Sequence, residues 1–346
     1  MRRLLPRANL EGVIAALRSE GYRVVGPVRR GSLVTYDEIS SAAELVLDVV
    51  ITRDSIKKFV LPRTEVVGRF ARDAVGRTTV LDVTAAPQPT VILGGRPCDA
   101  AALPIDDLVF AWDSTDRFWF SRREAVRLVT MACAKCDESC FCTSVGGAPD
   151  SPEGSDVLLT ETAAGDYEVQ ALGERGAELL AKFPGRRDAS SADRRVAAVP
   201  QRFDLSAAVT ALEKNFESPF WRQTALRCVG CGCCTFVCPT CHCFDLVDEG
   251  TAYHSERRRN WDACQMKNFT LHASGHNPRP WQEHRYRQRI MHKFLYYPNR
   301  LGRTLCTGCG RCVRACPVNL SLLQVVSDLA AGRANALPTN SGEVKT

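Results

Sequence analysis

The chain has 346 residues, of which 45% are hydrophobic and 17 are cysteine, and its formal net charge is +6. This length allows two or three compact units, and no apolar segment is long enough to cross a membrane. The formal charge treats the thiols as neutral, whereas a metal cluster held by four thiolates is net negative. The charge therefore does not indicate a nucleic-acid partner.

The cysteine content and the start of the chain indicate the compartment. The basic opening residues 1–7 are not followed by the apolar stretch of a signal peptide. Clustered cysteines in a reducing cytosol are typical of metal binding, whereas a disulfide framework needs an oxidising compartment. We therefore expect a cytoplasmic protein whose cysteines bind metal.

The first half of the chain predicts a mixed α/β domain over residues 1–183. Apolar residues at helical spacing predict helices at 9–20 and 174–183. Short apolar runs predict strands at 22–28, 33–36, 46–51, 91–95, 126–131, 157–160 and 167–169. Two of these strands end just before Cys98 and Cys133, which suggests a cysteine site at one edge of the domain.

The second half predicts a mainly helical domain. Residues 184–204 begin with clustered Arg, Asp and Ser and are predicted to be a linker. Helical spacing follows at 205–221, 267–272 and 287–295. We assign residues 205–330 to this domain and residues 331–346, which are small and polar, to a flexible tail. The predicted fold class is α+β.

Two cysteine runs share the pattern C-x2-C-x2-C-x3-C-P, one ending at Pro239 and the other at Pro317. This is the ligand pattern of bacterial ferredoxins with two [4Fe–4S] clusters. Three cysteines at this spacing surround one cluster, while the fourth points away and binds the other cluster. We predict a cluster A held by Cys228, Cys231, Cys234 and Cys316, and a cluster B held by Cys306, Cys309, Cys312 and Cys238.

Other interpretations of the runs are weaker. Zinc ribbons pair two C-x2-C units across a gap. They need neither a third cysteine at the same two-residue spacing nor the proline that follows the fourth cysteine. Cys241 could replace Cys228 in cluster A, but then the two runs would no longer follow one pattern. The thiols of Cys233, Cys241, Cys243 and Cys264 are interpreted as neighbours of the clusters or as small packing residues, with no assigned role.

Histidine and basic residues near the runs have several possible roles. His242, His272, His276, His284 and His292 are predicted to donate hydrogen bonds to cluster sulfurs or to lie on the surface, because thiolates are abundant. The segment 279–293 is rich in Arg and Lys. It fits a docking face for an acidic partner, charge compensation beside the clusters, or a solvated helix face.

The sequence contains no nucleotide fingerprint and no general acid–base constellation. No G-x-G-x-x-G follows a strand, and there is no Walker loop and no Ser–His–Asp arrangement in a recognisable context. We therefore predict no catalytic residues and no flavin or NAD(P) bound by this chain.

Several uncommon motifs carry a resemblance to a known family. In chain order they are Arg96-Pro97-Cys98-Asp99, Cys140-Phe141-Cys142-Thr143-Ser144, Pro239-Thr240-Cys241-His242-Cys243-Phe244-Asp245, Trp261-Asp262-Ala263-Cys264 and Gly275-His276-Asn277-Pro278-Arg279. With the two cysteine runs, they resemble the dicluster beta subunit of cytosolic nickel–iron hydrogenases of the sulfhydrogenase type. The A subunit of anaerobic sulfite reductase belongs to the same family. The resemblance extends from about residue 10 to residue 325.

The resemblance implies an electron-relay subunit whose C-terminal domain is similar to α-helical ferredoxins. It implies a flavin- and NAD(P)-binding diaphorase subunit at one end of the relay. At the other end it implies the small and large subunits of a nickel–iron hydrogenase, with anaerobic sulfite reductase as the alternative.

Five cysteines lie in the N-terminal domain, and four of them would suffice for a third [4Fe–4S] cluster. The family motifs favour Cys98, Cys133, Cys140 and Cys142 over Cys136 as its ligands. A zinc site made of the same thiols and ordinary buried free cysteines remain as alternatives.

Two rival functions belong to other classes. One is a self-contained oxidoreductase in which the N-terminal cysteine cluster is the active site. The other is a zinc-stabilised scaffold or nucleic-acid-binding module, which would be colourless, whereas iron–sulfur clusters give a brown protein.

Overall fold

The computed structural model describes residues 3–83, 86–185, 187–188 and 193–335. The strands are β1 Arg3–Leu5, β2 Arg23–Arg30, β3 Leu33–Glu38, β4 Thr64–Arg72, β5 Thr78–Leu81, β6 Thr90–Gly95, β7 Val126–Met131, β8 Val157–Glu161, β9 Tyr167–Ala171, β10 Arg187–Asp188, β11 Phe244–Gly250 and β12 His254–Trp261. The helices are α1 Leu10–Ser19, α2 Pro97–Ala100, α3 Ala102–Phe110, α4 Arg117–Ala125, α5 Gly173–Ala181, α6 Leu205–Lys214, α7 Phe220–Ala225, α8 Cys233–Phe236, α9 Gln282–Met291, α10 Tyr297–Leu301, α11 Arg311–Arg314 and α12 Leu322–Ala330.

The larger sheet has the strand order β10-β1-β9-β8-β7-β6-β2-β3. Its central strands β2, β6, β7 and β8 are parallel, and the strands at both edges are antiparallel. Because β6 and β7 run side by side in the same direction, their carboxyl ends meet at one edge of the sheet. Cys98 and Cys133 follow these two ends, as the sequence predicted.

Helices cover both faces of the larger sheet because its central strands are apolar on both sides. Successive residues point to opposite faces, so that Val24 and Val91 pack against α1 and α5, while Val25 and Ile92 pack with α3 and α4. A separate core lies in the C-terminal half and is built mainly from α6, α7, α9 and α12.

A second sheet has the order β11-β12-β4-β5 and joins strands from both halves of the chain. The sequence analysis did not predict these strands. Most of their side chains are at least partly exposed on both faces, so no alternation of apolar and polar residues marks them. Ion pairs hold the strands together instead, including Arg257 with Asp248 and Arg69 with Glu256.

Some predicted elements differ from the structure. Residues 46–51 do not form a strand, because the Leu47 and Val49 carbonyls accept hydrogen bonds from the buried Arg96 side chain. The helix predicted over 205–221 is divided into α6 and α7, with Pro219 at the start of α7. Residues 336–346 of the predicted tail and residues 186 and 189–192 of the predicted linker lie outside the described residues.

Candidate metal centres

The first cysteine run forms a tight loop that leads into α8. Gly230 and Gly232 have positive φ angles of 68° and 73°, a backbone conformation that favours glycine. A Cβ atom on Gly232 would lie 2.8 Å from the Ala263 side chain. The loop therefore turns sharply and brings its cysteines around one cavity.

We call this cavity, which lies between the two cysteine runs, cavity A. Cys228, Cys231 and Cys234 of the first run line it, and so does Cys316 of the second run. The structure thus brings together the four cysteines predicted for cluster A, including the one that lies farthest away in sequence. The backbone N–H of Leu320 donates a hydrogen bond of 3.2 Å to the Cys316 sulfur.

Polar side chains surround cavity A on the side of α9. Gln282 Nε2 lies 3.1 Å from the Cys228 sulfur and donates to it. Arg289 Nη2 donates to the Cys234 carbonyl oxygen at 2.8 Å. Burial raises the pKa of the Cys228 and Cys234 thiols. Metal binding at this cavity would therefore have to release protons from these thiols.

The second run gathers around the fourth cysteine of the first run. The charge of Cys238 acts on Cys306, Cys309 and Cys312, and in each case it raises the pKa of the thiol. Burial is the larger cause and contributes most to the pKa of about 12 at Cys306. These four cysteines, which we call group B, are those predicted for cluster B.

A buried amine stands beside group B. Lys293 Nζ lies 3.4 Å from the Cys238 sulfur, 3.1 Å from the Thr240 hydroxyl and 2.8 Å from the Leu305 carbonyl oxygen. Burial opposes the charge on Lys293, but the sulfurs of Cys238 and Cys241 outweigh it and raise the pKa of the amine. The amine therefore stays charged and compensates negative charge on the sulfurs.

The N-terminal cysteines converge at the edge of the larger sheet. Cys98 lies in α2, Cys133 follows β7, and Cys142 opens a short 3₁₀ helix, Cys142–Val145. The charge of Cys133 acts on Cys98, and those of Cys140 and Cys142 act on Cys133. Burial raises the pKa of both Cys133 and Cys142 to about 11. The structure thus brings these four cysteines, the N-terminal group, into one neighbourhood.

Cys136 differs from the cysteines of the N-terminal group in its hydrogen-bond partner. Its thiol donates to the Ala198 carbonyl oxygen at 3.5 Å, although its charge is also felt by Cys142. The Cys140 thiol instead lies 3.4 Å from Arg314 Nη2 of α11, and Arg314 is paired with Asp137 at 3.0 Å.

The N-terminal group and group B pack directly on each other. The Phe141 N–H donates to the Gly308 carbonyl oxygen at 3.0 Å. Cys98, Cys142 and Cys306 line one cavity. Because Cys312 of group B also lines cavity A, the three cysteine sites are neighbours in the order N-terminal group, group B, cavity A.

A buried ion pair connects the same two regions. Arg311 of the second run donates through Nη2 to Asp99 Oδ2 at 2.8 Å and through Nε to the Thr52 carbonyl oxygen at 3.0 Å. Tyr36 donates its hydroxyl to Asp99 at 3.0 Å. Arg311 and Asp99 are 2% and 0% exposed, so this pair fixes the second run against the residue that follows Cys98.

Gly308 provides a test of this packing. A Cβ atom there would lie 2.5 Å from backbone atoms of Phe141 and Cys142, which cannot move as a flexible side chain can. We expect Gly308→Ala to lower the thermal midpoint of unfolding by several degrees, as a loss of about 2 kcal/mol or more would do. Thermal unfolding followed by circular dichroism measures it.

Gly302 is the matched control for Gly308. Its φ of 72° is close to the 64° of Gly308, but a Cβ atom at Gly302 would have no atom within 4 Å. Gly302→Ala therefore carries the backbone strain without the clash and should cost only about 1 kcal/mol. Equal losses in the two variants would show that close packing at Gly308 is unimportant.

Part of the basic segment 279–293 lies beside the cysteines, which fits charge compensation, one of the three roles considered from the sequence. Arg285, Arg289 and Lys293 are buried, and Arg289 Nη1 lies 3.4 Å from the Cys241 sulfur. Arg287 instead pairs with Glu217 at the surface. The alternative of a solvated helix face therefore fits only part of the segment.

The histidine side chains pack against other groups and not against the cysteine sulfurs. His242 faces the buried Asp106 at 3.5 Å and His292, and His272 packs against His276. Burial lowers the pKa of His292 to about 3, so it is neutral. Within the described ranges, the side chains that hydrogen-bond to cysteine sulfur include those of glutamine, arginine, lysine and threonine.

Several residues near the sites were not singled out from the sequence. Lys57 donates to the Cys241 carbonyl oxygen at 2.7 Å, and its amine stands over the Trp261 ring. Arg311 and Arg314 could have been noticed, because they lie inside and just after the three-cysteine part of the second run. Lys57 and Gln265 carry no signal in the sequence.

The donor sets fit iron–sulfur clusters. Each of the three sites offers four cysteines, and buried cations lie beside them, as a net negative cluster requires. Within the described ranges, no group of three or more Cys, His, Asp or Glu side chains is arranged to hold a single metal ion. The described residues also include no helix long and apolar enough to cross a membrane.

Comparison with known proteins defines the class and then the family. Residues 227–320 match the 4Fe-4S dicluster domain, which places the C-terminal half among dicluster iron–sulfur proteins. The chain is 30% identical over 321 residues to sulfhydrogenase 2 subunit beta of Pyrococcus furiosus, covering 90% of this chain and 93% of that relative. It therefore belongs to the family of sulfhydrogenase beta subunits, as its motifs predicted. No solved structure matches it.

Proposed function

We propose that this protein is a cytoplasmic electron-transfer subunit that relays electrons through [4Fe–4S] clusters. Cluster A would be held by Cys228, Cys231, Cys234 and Cys316, and cluster B by Cys306, Cys309, Cys312 and Cys238. One observation carries the proposal: the fourth cysteine of each run lies with the first three of the other. Exchange of the fourth ligand is the arrangement of two-cluster ferredoxins.

A third cluster at Cys98, Cys133, Cys140 and Cys142 would complete the relay. The contact between Phe141 and Gly308 and the cavity shared by Cys98, Cys142 and Cys306 support a path from this cluster through cluster B to cluster A. The clusters supply the one-electron chemistry, and the chain sets their spacing and potentials through burial, hydrogen bonds and charge.

The ends of the relay would be a flavin- and NAD(P)-binding diaphorase subunit and the small and large subunits of a nickel–iron hydrogenase. The family supports a hydrogenase complex, because the related Pyrococcus protein is named as a sulfhydrogenase subunit. Anaerobic purification of the complex from its source, followed by identification of the co-purifying chains, tests this assignment. Sulfite reductase subunits in place of hydrogenase subunits would give the alternative function.

We also propose the domain division on which this relay rests. A mixed α/β domain would span residues 1–183, a linker 184–204, a dicluster domain 205–330 and a tail 331–346. The dicluster domain would be a mainly helical, α-helical ferredoxin-like unit, with the hairpin of β11 and β12 as an insertion between the two cysteine runs.

Iron and sulfide content tests the number of clusters. Three [4Fe–4S] clusters predict about twelve irons and twelve sulfides per chain after anaerobic purification, and two predict about eight. Cys98→Ser should lower the iron content by about four if the third cluster is present. Cys136→Ser is the matched control and should leave it unchanged. Equal iron in Cys98→Ser and the parent protein would remove the third cluster from the proposal.

Lys293 should set the potential of cluster B. Lys293→Gln removes a positive charge beside the Cys238 sulfur, and we expect the reduction potential of this cluster to fall on the order of 100 mV, as Coulomb's law gives for a charge a few ångströms away at a protein-like dielectric. Redox titration followed by electron paramagnetic resonance measures it. Lys214→Gln, at the exposed end of α6, is the control, and equal shifts in both variants would contradict the assignment.

A further inference from the structure

A surface groove lies between α7 and the start of α9. Leu226 and Trp281 are among the residues that line it, and they are 79% and 66% exposed. Val229, three residues beyond Leu226 in the chain, is 65% exposed. Single exposed apolar residues are ordinary, but large apolar side chains gathered at one groove are typical of a surface that another protein covers.

This groove adjoins the first cysteine run. Cys228 lines both the groove and cavity A. Gln282 also lines the groove, and its Nε2 donates to the Cys228 sulfur at 3.1 Å. All 17 cysteines belong to the described residues, and among them Cys231 alone is exposed. Of the three cysteine sites, cavity A is therefore the one with a cysteine exposed at the surface.

The charges beside the groove favour an acidic partner. Arg222 lines the groove, Arg227 immediately precedes Cys228, and both arginines are exposed. In the part of the chain that the structure describes, neither arginine forms an ion pair. Glu283 is the acidic residue of the lining, and its carboxylate lies 3.8 Å from the His284 ring. The two arginines are therefore available to pair with carboxylates of another protein.

We propose that this groove is the docking site of an acidic redox partner that exchanges single electrons with cluster A. The exposed apolar side chains pack against the centre of the partner's face, and Arg222 and Arg227 pair with carboxylates at its rim. The partner carries its own one-electron centre close to that face. Each electron that cluster A loses is gained by this centre, and no covalent bond is made or broken.

The inference rests on the proposed function for the presence of cluster A, and it deepens that function by naming the face through which the cluster reaches its partner. The two proposals can fail separately. Iron content and the electron paramagnetic resonance signal of cluster A test the cluster. The rate of electron transfer in surface variants that retain the cluster tests the docking site.

The test uses the full-length protein, purified anaerobically with its clusters and reduced with dithionite, which is then removed. The probes are two oxidised acceptors, plastocyanin, an acidic copper protein, and mitochondrial cytochrome c, a basic haem protein. Stopped-flow absorbance follows their reduction. We expect the second-order rate constant with plastocyanin to fall about tenfold or more between about 10 mM and 300 mM salt, because salt screens the attraction.

Charge reversal at the groove gives the decisive comparison. Arg222→Glu combined with Arg227→Glu should lower the rate constant with plastocyanin about tenfold at low salt and raise that with cytochrome c. Iron content and the signal of cluster A should stay unchanged. Arg18→Glu combined with Arg29→Glu is the matched control, since both arginines are exposed in the N-terminal domain and the net charge changes equally. Equal rates in the two double variants would overturn the docking site.

Leu226→Ser tests the apolar part of the groove. This side chain is largely solvated, so its loss should leave the fold and the iron content unchanged. We expect the rate with plastocyanin to fall severalfold at both low and high salt, because salt does not screen an apolar contact. Val75→Ser, at a residue that is 75% exposed, is the control and should match the parent protein. Equal rates in Leu226→Ser and Val75→Ser would contradict the proposal, and a parent protein that reduced neither acceptor would overturn it together with the relay.

Discussion

Cys316→Ser is expected to remove the cluster of the first cysteine run, although Cys316 belongs to the second. Its side chain lines cavity A with Cys228, Cys231 and Cys234, and a [4Fe–4S] cluster that loses one of four thiolates is expected to be lost or degraded. We expect the iron content to fall by about four per chain. The electron paramagnetic resonance signal that disappears should be the one lost in Cys231→Ser.

The reciprocal variant completes this prediction. Cys238→Ser should abolish the signal that Cys309→Ser abolishes, since Cys238 lies with the second run. Cys233→Ser is the control, because this cysteine lies within the first run and is not a proposed ligand, and it should retain both signals. If Cys316→Ser instead abolishes the same signal as Cys309→Ser, each cluster is held by the cysteines of one run. The proposed exchange of the fourth ligand is then wrong.

Asp99→Asn is expected to destabilise the protein strongly. The substitution leaves Arg311 buried without its counter-ion, and breaking a buried ion pair by removing one partner costs about 3–5 kcal/mol. The Asp99 carboxylate also accepts the Tyr36 hydroxyl at 3.0 Å, so two buried donors lose an anionic partner. We expect a thermal midpoint several degrees below that of the parent protein, measured anaerobically at a fixed scan rate because unfolding releases the clusters.

Asp328→Asn is the matched control for this substitution. Asp328 pairs with Arg333 near the end of the described chain, where the arginine side chain is 55% exposed. Exposed pairs contribute about 1 kcal/mol or less, so the thermal midpoint should change little. If Asp99→Asn proved no more harmful than Asp328→Asn, the ion pair would not fix the second run to the N-terminal domain.

The two cysteine runs can be recognised in the sequence because three of the four ligands of each proposed cluster lie close together in the chain. Three cysteines at fixed spacing must face one cluster, so the spacing alone identifies the run. The apolar strands β6 and β7 were predicted for a similar reason, since a buried parallel strand is a continuous apolar run. Their ends then located Cys98 and Cys133 at one edge.

Other features depend on contacts that the local sequence does not encode. The pairing of β12 with β4 joins residues nearly two hundred positions apart, and both strands are too polar to give a strand pattern. The ion pair between Asp99 and Arg311 is equally distant. Residues 46–51 have strand propensity, but tertiary hydrogen bonds from Arg96 use their carbonyls and override it.

The central claim is that two clusters are each bound by three cysteines of one run and one of the other. Crystals of the anaerobically purified protein, measured at the iron absorption edge, test it most directly through the positions of the anomalous peaks. The account predicts one compact iron peak within bonding distance of Cys228, Cys231, Cys234 and Cys316, and another beside Cys306, Cys309, Cys312 and Cys238. Peaks of zinc, or sulfurs of Cys238 and Cys316 remote from both metal centres, would contradict it.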